Sequence, residues 1–352
     1  MNNSRQRAVR SRQSGFGGES LSQAKIVSCA LILLTFFCVA GAAAERDGRW
    51  AILISGASGD PDLRKLYLQE LTDLHSVLRN SLRFPEDQII VLSEDPAKSP
   101  GIMRHQSTRE GLQAVCRELA TRVRKEDLVF VFIEGHGTSD GKVYKLNLVG
   151  SPDPAAEQLA SALYSIPAQH FIVVNATSCS GGSLPALSRK GGIVITSTKS
   201  GMERNKTQFG RLFVDSFKDN AADSDKNGRI SIIEAFSYAS RAVEEYYKRE
   251  GNLQTEHPVL EDNGDAKAQA QPGPENGEGL LARVTFLDAG IPAGTMANLT
   301  PEQQKLAEKV RDLETQIDAL KYAKSEMPEA EYEKKLEALL LRLAKINAQL
   351  PK

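Results

Sequence analysis

Cysteine is scarce in this chain, with four in 352 residues, and two of them, Cys29 and Cys38, fall in an N-terminal apolar stretch. Only Cys116 and Cys179 remain beyond it, which excludes a disulfide framework. A single Cys116–Cys179 bridge is the remaining option, and their contexts oppose it. Cys116 lies on a helical apolar stripe with Leu112, Val115, Leu119 and Val123, the setting of a small buried hydrophobe. Cys179 sits in a Gly/Ser-rich turn after an apolar run. Charge of one sign is also missing: 44 Lys and Arg against 45 Asp and Glu leave a net charge of −1. That excludes the basic footprint of a nucleic-acid binder. Hydrophobic (41%) and charged (25%) fractions are those of a soluble globular protein. No pattern calls for an organic cofactor.

One long hydrophobic run is present. Arg5, Arg7, Arg10, Arg12 and Lys25 precede Ile26 to Ala40, and Ala42-Ala43-Ala44 follows. Basic leader, apolar segment and small-residue cleavage pattern make a secretory signal peptide over residues 1–44. The chain is therefore expected to be exported, periplasmic or secreted. The rival is a membrane anchor over residues 26–44, a length that just spans a bilayer. Cleavage removes five positive charges and one negative, taking the net charge from −1 to −5.

From residue 45 to 265 short apolar strands alternate with amphipathic helices. The strands read as Trp50–Ser55, Gln88–Leu92, Leu128–Ile133, Phe171–Val174 and Ile193–Thr196. The helices read as Leu63–Leu82, Thr108–Val123, Ala155–Tyr164 and Thr207–Phe217, and Tyr144–Val149 as an edge strand or hairpin. Near-continuous Val/Ile/Leu strands separated by helices predict an α/β fold, a mostly parallel sheet flanked by helices. Residues 266–279 have the composition of a flexible linker, and 280–299 read as an extra strand and connector. From Thr300 to Lys352, Leu306, Val310, Leu313, Ile317 and Leu320, then Tyr332, Leu336, Leu339, Leu343, Ile346 and Leu350, recur at helical spacing around Met327-Pro328. This predicts a C-terminal antiparallel helical hairpin with a partly exposed seam, open to self-association or a partner helix.

Two islands carry the chemistry. Leu128–Ile133 ends in Glu134-Gly135-His136-Gly137, and Phe171–Val174 ends in Asn175-Ala-Thr-Ser178-Cys179-Ser180-Gly181-Gly182. Adjacent parallel strands ending this way bring His136 and Cys179 to one sheet edge, where open α/β folds build sites. Cys179 as nucleophile needs a basic neighbour, and His136 supplies one, then protonates the leaving amine. Small residues let the Gly137 and Cys179 amides act as an oxyanion hole, worth ~3 kcal/mol per donor. The substrate is then a protein or peptide.

The order strand–His-Gly, then strand–Cys, resembles the caspase-type fold of cysteine peptidases, and within it the legumain-like (asparaginyl endopeptidase) family, in a bacterial-type exported form. Trp50–Ser58, Asp62-Leu63-Arg64 and Pro85–Val91 extend the resemblance, which covers about residues 49 to 220. It implies that Asp62 orients His136 and that Arg64 binds the side chain before the cut. Lys65, Glu134, Thr177 and Ser178 depart from the family pattern, which leaves its Asn/Asp specificity open. The alternative is a non-catalytic scaffold of the same fold that binds through a calcium-type loop and the C-terminal coiled coil.

The loop is Asp223-Ser-Asp225-Lys-Asn227-Gly228-Arg229-Ile-Ser231-Ile-Ile-Glu234. Oxygen donors at loop positions 1, 3, 5 and 9, the position-7 carbonyl of Arg229, a Gly at position 6 and Glu234 at position 12 fit a calcium-binding EF-hand loop. The expected role of Ca²⁺ is structural. Glu261-Asp262-Asn263-Gly264-Asp265 reads as a solvated loop, with a second calcium turn as its alternative, and His257 as structural.

Overall fold

The computed structural model describes residues 47–150, 152–289, 300–324, 327–347 and 349. The expected signal segment and residues 290–299 of the expected strand and connector lie outside the described residues. No helix among the described residues is long and apolar enough to cross a membrane.

The chain is an α/β protein. Its strands are β1 (Arg49–Ser55), β2 (Ile89–Ser93), β3 (Met103–Gln106), β4 (Leu128–Glu134), β5 (Gly137–Ser139), β6 (Tyr144–Leu146), β7 (His170–Asn175), β8 (Gly192–Thr196) and β9 (Val259–Glu261). Seven form one sheet in the order β3-β2-β1-β4-β7-β8-β9, parallel except for the β8–β9 pair. The five expected strands are its centre. β3 and β9, short and at the two edges, are additions. Tyr144–Leu146 is not an edge strand of that sheet: β5 and β6 pair separately as an antiparallel hairpin.

The crossovers are α1 (Pro61–Ser76, continued by a π turn to Ser81), α2 (Arg109–Arg122), α3 (Ala156–Leu163), α4 (Leu184–Leu187), α5 (Phe209–Ser216) and α6 (Ile232–Arg249). Successive strand residues point to opposite faces, so each central strand feeds two cores. Leu53, Phe132, Val174 and Ile195 pack with Leu71, Phe213 and Phe236 from α1, α5 and α6. Ile52, Val131, Val173 and Val194 pack with Leu112, Cys116, Leu119 and Leu159 from α2 and α3. Both layers are covered, which is why these strands have no polar alternation.

Two expectations for the tail are corrected. Leu280–Leu287 is not a strand: Leu280–Val284 forms a short helix, α7. Asp262 caps it, accepting from Gly279 N (2.7 Å) and Ala282 N (2.8 Å). A short apolar run does not itself distinguish strand from helix, and this long-range cap decides. Residues 266–279 are tethered rather than free, since Leu260 and Gln269 exchange both backbone hydrogen bonds (2.9 and 2.8 Å). Helices α8 (Pro301–Tyr322) and α9 (Glu329–Asn347) pack side by side across a short turn. Thr300 and Gln303 form the capping box that opens α8, and Leu313, Ile317 and Leu320 are buried, while Leu340 and Leu341 of α9 face solvent.

Candidate functional site

β4 and β7 are paired in register, Phe132 opposite Val174 and Ile133 opposite Asn175, so both chains leave the sheet at the same edge. The loops that follow are bonded to each other one residue from each reactive side chain. Ser178 Oγ donates to Gly137 O (3.0 Å) and lies 3.2 Å from Gly137 N as its acceptor. Only glycine fits at 137, where a Cβ would stand 2.4 Å from the Tyr144 ring and 2.5 Å from Ser178 O. Beneath, the buried Asn175 amide bonds Ser183 Oγ (2.9 Å) and its Oδ1 accepts from Thr177 Oγ1 (2.8 Å). Thr177 in turn meets Tyr144 Oη at 2.8 Å. This polar network fixes the path of the chain from β7 to Cys179.

The His136 ring is not oriented by Asp62. Asp62 is exposed in the first turn of α1, and the partner of His136 Nε2 is Tyr67 Oη at 3.3 Å, one turn further along that helix. The two rings meet edge-on, 6.0 Å between centroids. Burial lowers the pKa of His136, Lys206 lowers it further and Asp60 opposes. The first two effects favour the neutral imidazole. Behind it, burial and then repulsion from Glu70 push the Glu134 carboxyl well above the usual carboxylate range, and burial pushes Glu70 up to about 7.

Cys179 has a left-handed backbone (φ 60°) and is 1% exposed. Burial raises its thiol pKa, while Arg204 and a hydrogen bond from the Ser139 amide pull it down. Both shifts favour the uncharged forms, a thiol at Cys179 and a neutral imidazole at His136, over a preformed thiolate–imidazolium. The expected oxyanion donors are both engaged, Gly137 N with Ser178 Oγ and Cys179 N with Glu203 O at 2.8 Å. The space beside Gly181 is likewise occupied, since a Cβ there would stand 2.3 Å from Ser200 N. Residues 198–203 pack against the Cys179–Gly181 backbone. Glu203 is held in turn by the His257 ring (2.5 Å), His257 N (3.2 Å) and Lys199 N (3.0 Å).

Arg64 is 51% exposed and bonds Glu94 at 2.8 Å, while Ser58 Oγ holds the other Glu94 oxygen at 2.6 Å. Together with Ser55, Leu68 and Lys98, Arg64 and Glu94 line a cavity of about 340 Å³ at the same sheet edge. Glu94 offsets the arginine charge, so this cavity is mixed in sign.

The acidic loop between α5 and α6 gathers Asp223, Asp225 and Glu234, with one carboxylate oxygen from each within 4.8 Å of the others. Asp223 accepts from Asn227 N (3.1 Å) and Gly228 N (2.8 Å), Asn227 Oδ1 from Arg229 N (2.8 Å), and Ser231 caps α6 opposite Glu234 (2.7 Å). Burial, then Glu234 and Asp223, raise the Asp225 pKa. Mutual repulsion of three convergent carboxylates fits a hard dication. The Arg229 side chain turns away onto Asp288 and the Phe286 ring.

Tyr67, Arg204 and Glu203 were not legible in the sequence as members of this site, and Ser178 was read only as part of the Cys179 island and a departure from the family pattern. Tyr67 enters from α1, and Arg204 and Glu203 from the return of the 198–207 loop. Cys116 is buried and free of any disulfide, as its stripe implied.

No family model matches the sequence, and no curated protein matches it. Among solved structures, the Drosophila initiator caspase Dronc is similar to this chain at a TM-score of 0.38 and 11% identity, over 62% of this chain and 81% of that one.

Proposed function

We propose that the chain is an exported cysteine endopeptidase of the caspase type, legumain-like in its motifs, with Cys179 as nucleophile and His136 as general base and acid. The observation that supports this is the bonding of the His136 and Cys179 loops through Ser178 and Gly137 at one sheet edge. His136 removes the thiol proton as Cys179 Sγ attacks the substrate carbonyl carbon. The C–N bond then breaks, the imidazolium gives its proton to the leaving amine, and a thioester remains. Water, deprotonated by His136, attacks the thioester carbon and releases the acid and the thiol. Burial favours the neutral form of both groups, so His136 serves as a general base on the thiol as it attacks. Attack requires residues 198–203 to move, which frees the Cys179 amide to donate to the oxyanion.

The loop of Asp223, Asp225, Asn227, Arg229, Ser231 and Glu234 is the proposed calcium site. Calcium there would offset most of the charge of three carboxylates and tie the end of α5 to the start of α6. Chelation then lowers the melting temperature of wild type by more than that of Glu234→Ala, and an equal loss in the two removes the metal claim.

A second reading, a scaffold that binds through the hairpin, draws on the closed Cys179 and the solvent-facing Leu340 and Leu341. Hydrolysis of a mixed peptide library separates the two. The peptidase loses cleavage in both Cys179→Ala and His136→Ala, and library turnover that survives in Cys179→Ala sinks it.

A further inference from the structure

Glu261, at the end of β9, lies 0% exposed, and Glu278, just before α7, 1% exposed. Together with Asp265 each offers one carboxylate oxygen, and the three oxygens fall within 4.8 Å of one another. Half of each buried carboxylate is accounted for. Glu261 Oε1 accepts from Gly264 N and Asp265 N (3.0 Å), and Glu278 Oε2 accepts from Asp262 N (2.7 Å). The other halves, Glu261 Oε2 and Glu278 Oε1, are buried with no hydrogen-bond partner. An unpartnered oxygen on each of two buried carboxylates is costly unless a proton or a cation satisfies it. Lys267 does not supply it. Its Nζ is 3.6 Å from Asp265, and both side chains are largely exposed, so it stays on the solvent side.

We propose that Glu261, Asp265 and Glu278 form a second cation site that takes a hard, oxygen-seeking dication of the calcium class. The donors are all carboxylate oxygens, which favours calcium over softer metals. Two donors are rigidly buried, and the exposed Asp265 leaves room for water to complete the coordination.

The site shares no residue with the EF-hand-like loop and lies away from the thiol along the strands. β9 runs antiparallel to β8, pairing Val259 with Thr196 and Glu261 with Val194, so Glu261 points back to the edge where the parallel strands begin. Gly264 accordingly packs on the backbone of Arg189 and Lys190, just before β8. A cation there clasps three pieces of chain: the edge strand β9, the turn after it, and the segment that enters α7. Because α7 packs against α8, the clasp also anchors the base of the hairpin.

The test is calorimetric titration of the chelator-stripped full chain with calcium chloride, in wild type, Glu234→Gln, Glu278→Gln and the double variant. Two sites give two ions in wild type, one in each single variant and none in the double. Tenfold saturation of the second site raises the melting midpoint of Glu234→Gln by roughly 2–4 °C. One ion that survives Glu278→Gln and disappears in Glu234→Gln overturns this proposal and keeps the loop. One ion with the reverse pattern supports it and removes the loop. Absence of binding in Glu234→Gln overturns it outright. Circular dichroism of Glu278→Gln without calcium, expected to match wild type, separates a lost site from a lost fold.

Discussion

Glu203→Ala should open the route to Cys179. The Glu203 backbone carbonyl accepts from the Cys179 amide at 2.8 Å, and the carboxylate is clamped by the His257 ring at 2.5 Å, His257 N at 3.2 Å and Lys199 N at 3.0 Å. Charge-assisted hydrogen bonds contribute ~1.5–3 kcal/mol each when sheltered, but the His257 ring is 40% exposed and its share is discounted. Loss of the carboxylate then costs the closed loop about 3 kcal/mol. That multiplies the population of the open loop about 100-fold, up to the point where opening no longer limits the reaction. The assay is the rate of iodoacetamide modification at Cys179, followed by peptide mapping. Cys116 is an internal reference, because it is buried and its thiol is pushed up to about 12. The expected result is faster modification of Cys179 with Cys116 unchanged, and an intermediate rate in Glu203→Gln, which keeps the size and part of the bonding. Equal Cys179 rates in wild type and Glu203→Ala refute the latch. A parallel rise at Cys116 refutes it too, since that reports general loosening.

Two further outcomes follow from the same geometry. Tyr67→Phe removes the 3.3 Å contact with His136 Nε2 but keeps the ring. Peptide hydrolysis should fall about 3–10-fold in kcat at an unchanged melting temperature, the value of one neutral hydrogen bond; steady-state kinetics would discard the contact if kcat held. Glu256 is buried where it accepts from Gln208 N and Phe209 N, and burial lifts it from 4.5 to about 7. Between those pH values the folded chain keeps a proton that the unfolded chain has released, so stability falls as pH rises through the window, by up to about 3 kcal/mol. Urea midpoints measured from pH 4.5 to 7 should drop in wild type and stay flatter in Glu256→Gln, and identical slopes would remove the assignment.

The central strands were legible because burial on both faces leaves no choice of residue type. Ile52, Val131, Val173 and Val194 read as strand in any register, and their loops announce themselves by Gly and by reactive side chains. What stayed hidden depends on contacts distant in sequence. Asp262 turns 280–284 into a helix from about 20 residues away, and no local pattern carries that. Tyr67 supplanted Asp62 beside His136 because α1 starts at Pro61 with its first turn in solvent. The resemblance gave Asp62 its expected role through position in a motif, whereas the helix phase decides which residue faces the ring. Small residues were expected to let the Gly137 and Cys179 amides reach a substrate carbonyl, and Gly137 instead lets the Tyr144 ring and the Ser178 backbone pack close. The acidic residues 261–265 looked solvated because Glu278, their buried partner, lies 13 residues further on.

The central claim is that a peptide carbonyl is transferred to Cys179, and acid quenching followed by mass spectrometry tests it directly. Wild-type protein mixed with a cleaved library peptide and quenched during turnover should carry the mass of the N-terminal fragment as a thioester on the peptide containing Cys179. Cys179→Ala should carry none. Continued cleavage with no adduct at Cys179, or with the adduct on another residue, contradicts the account.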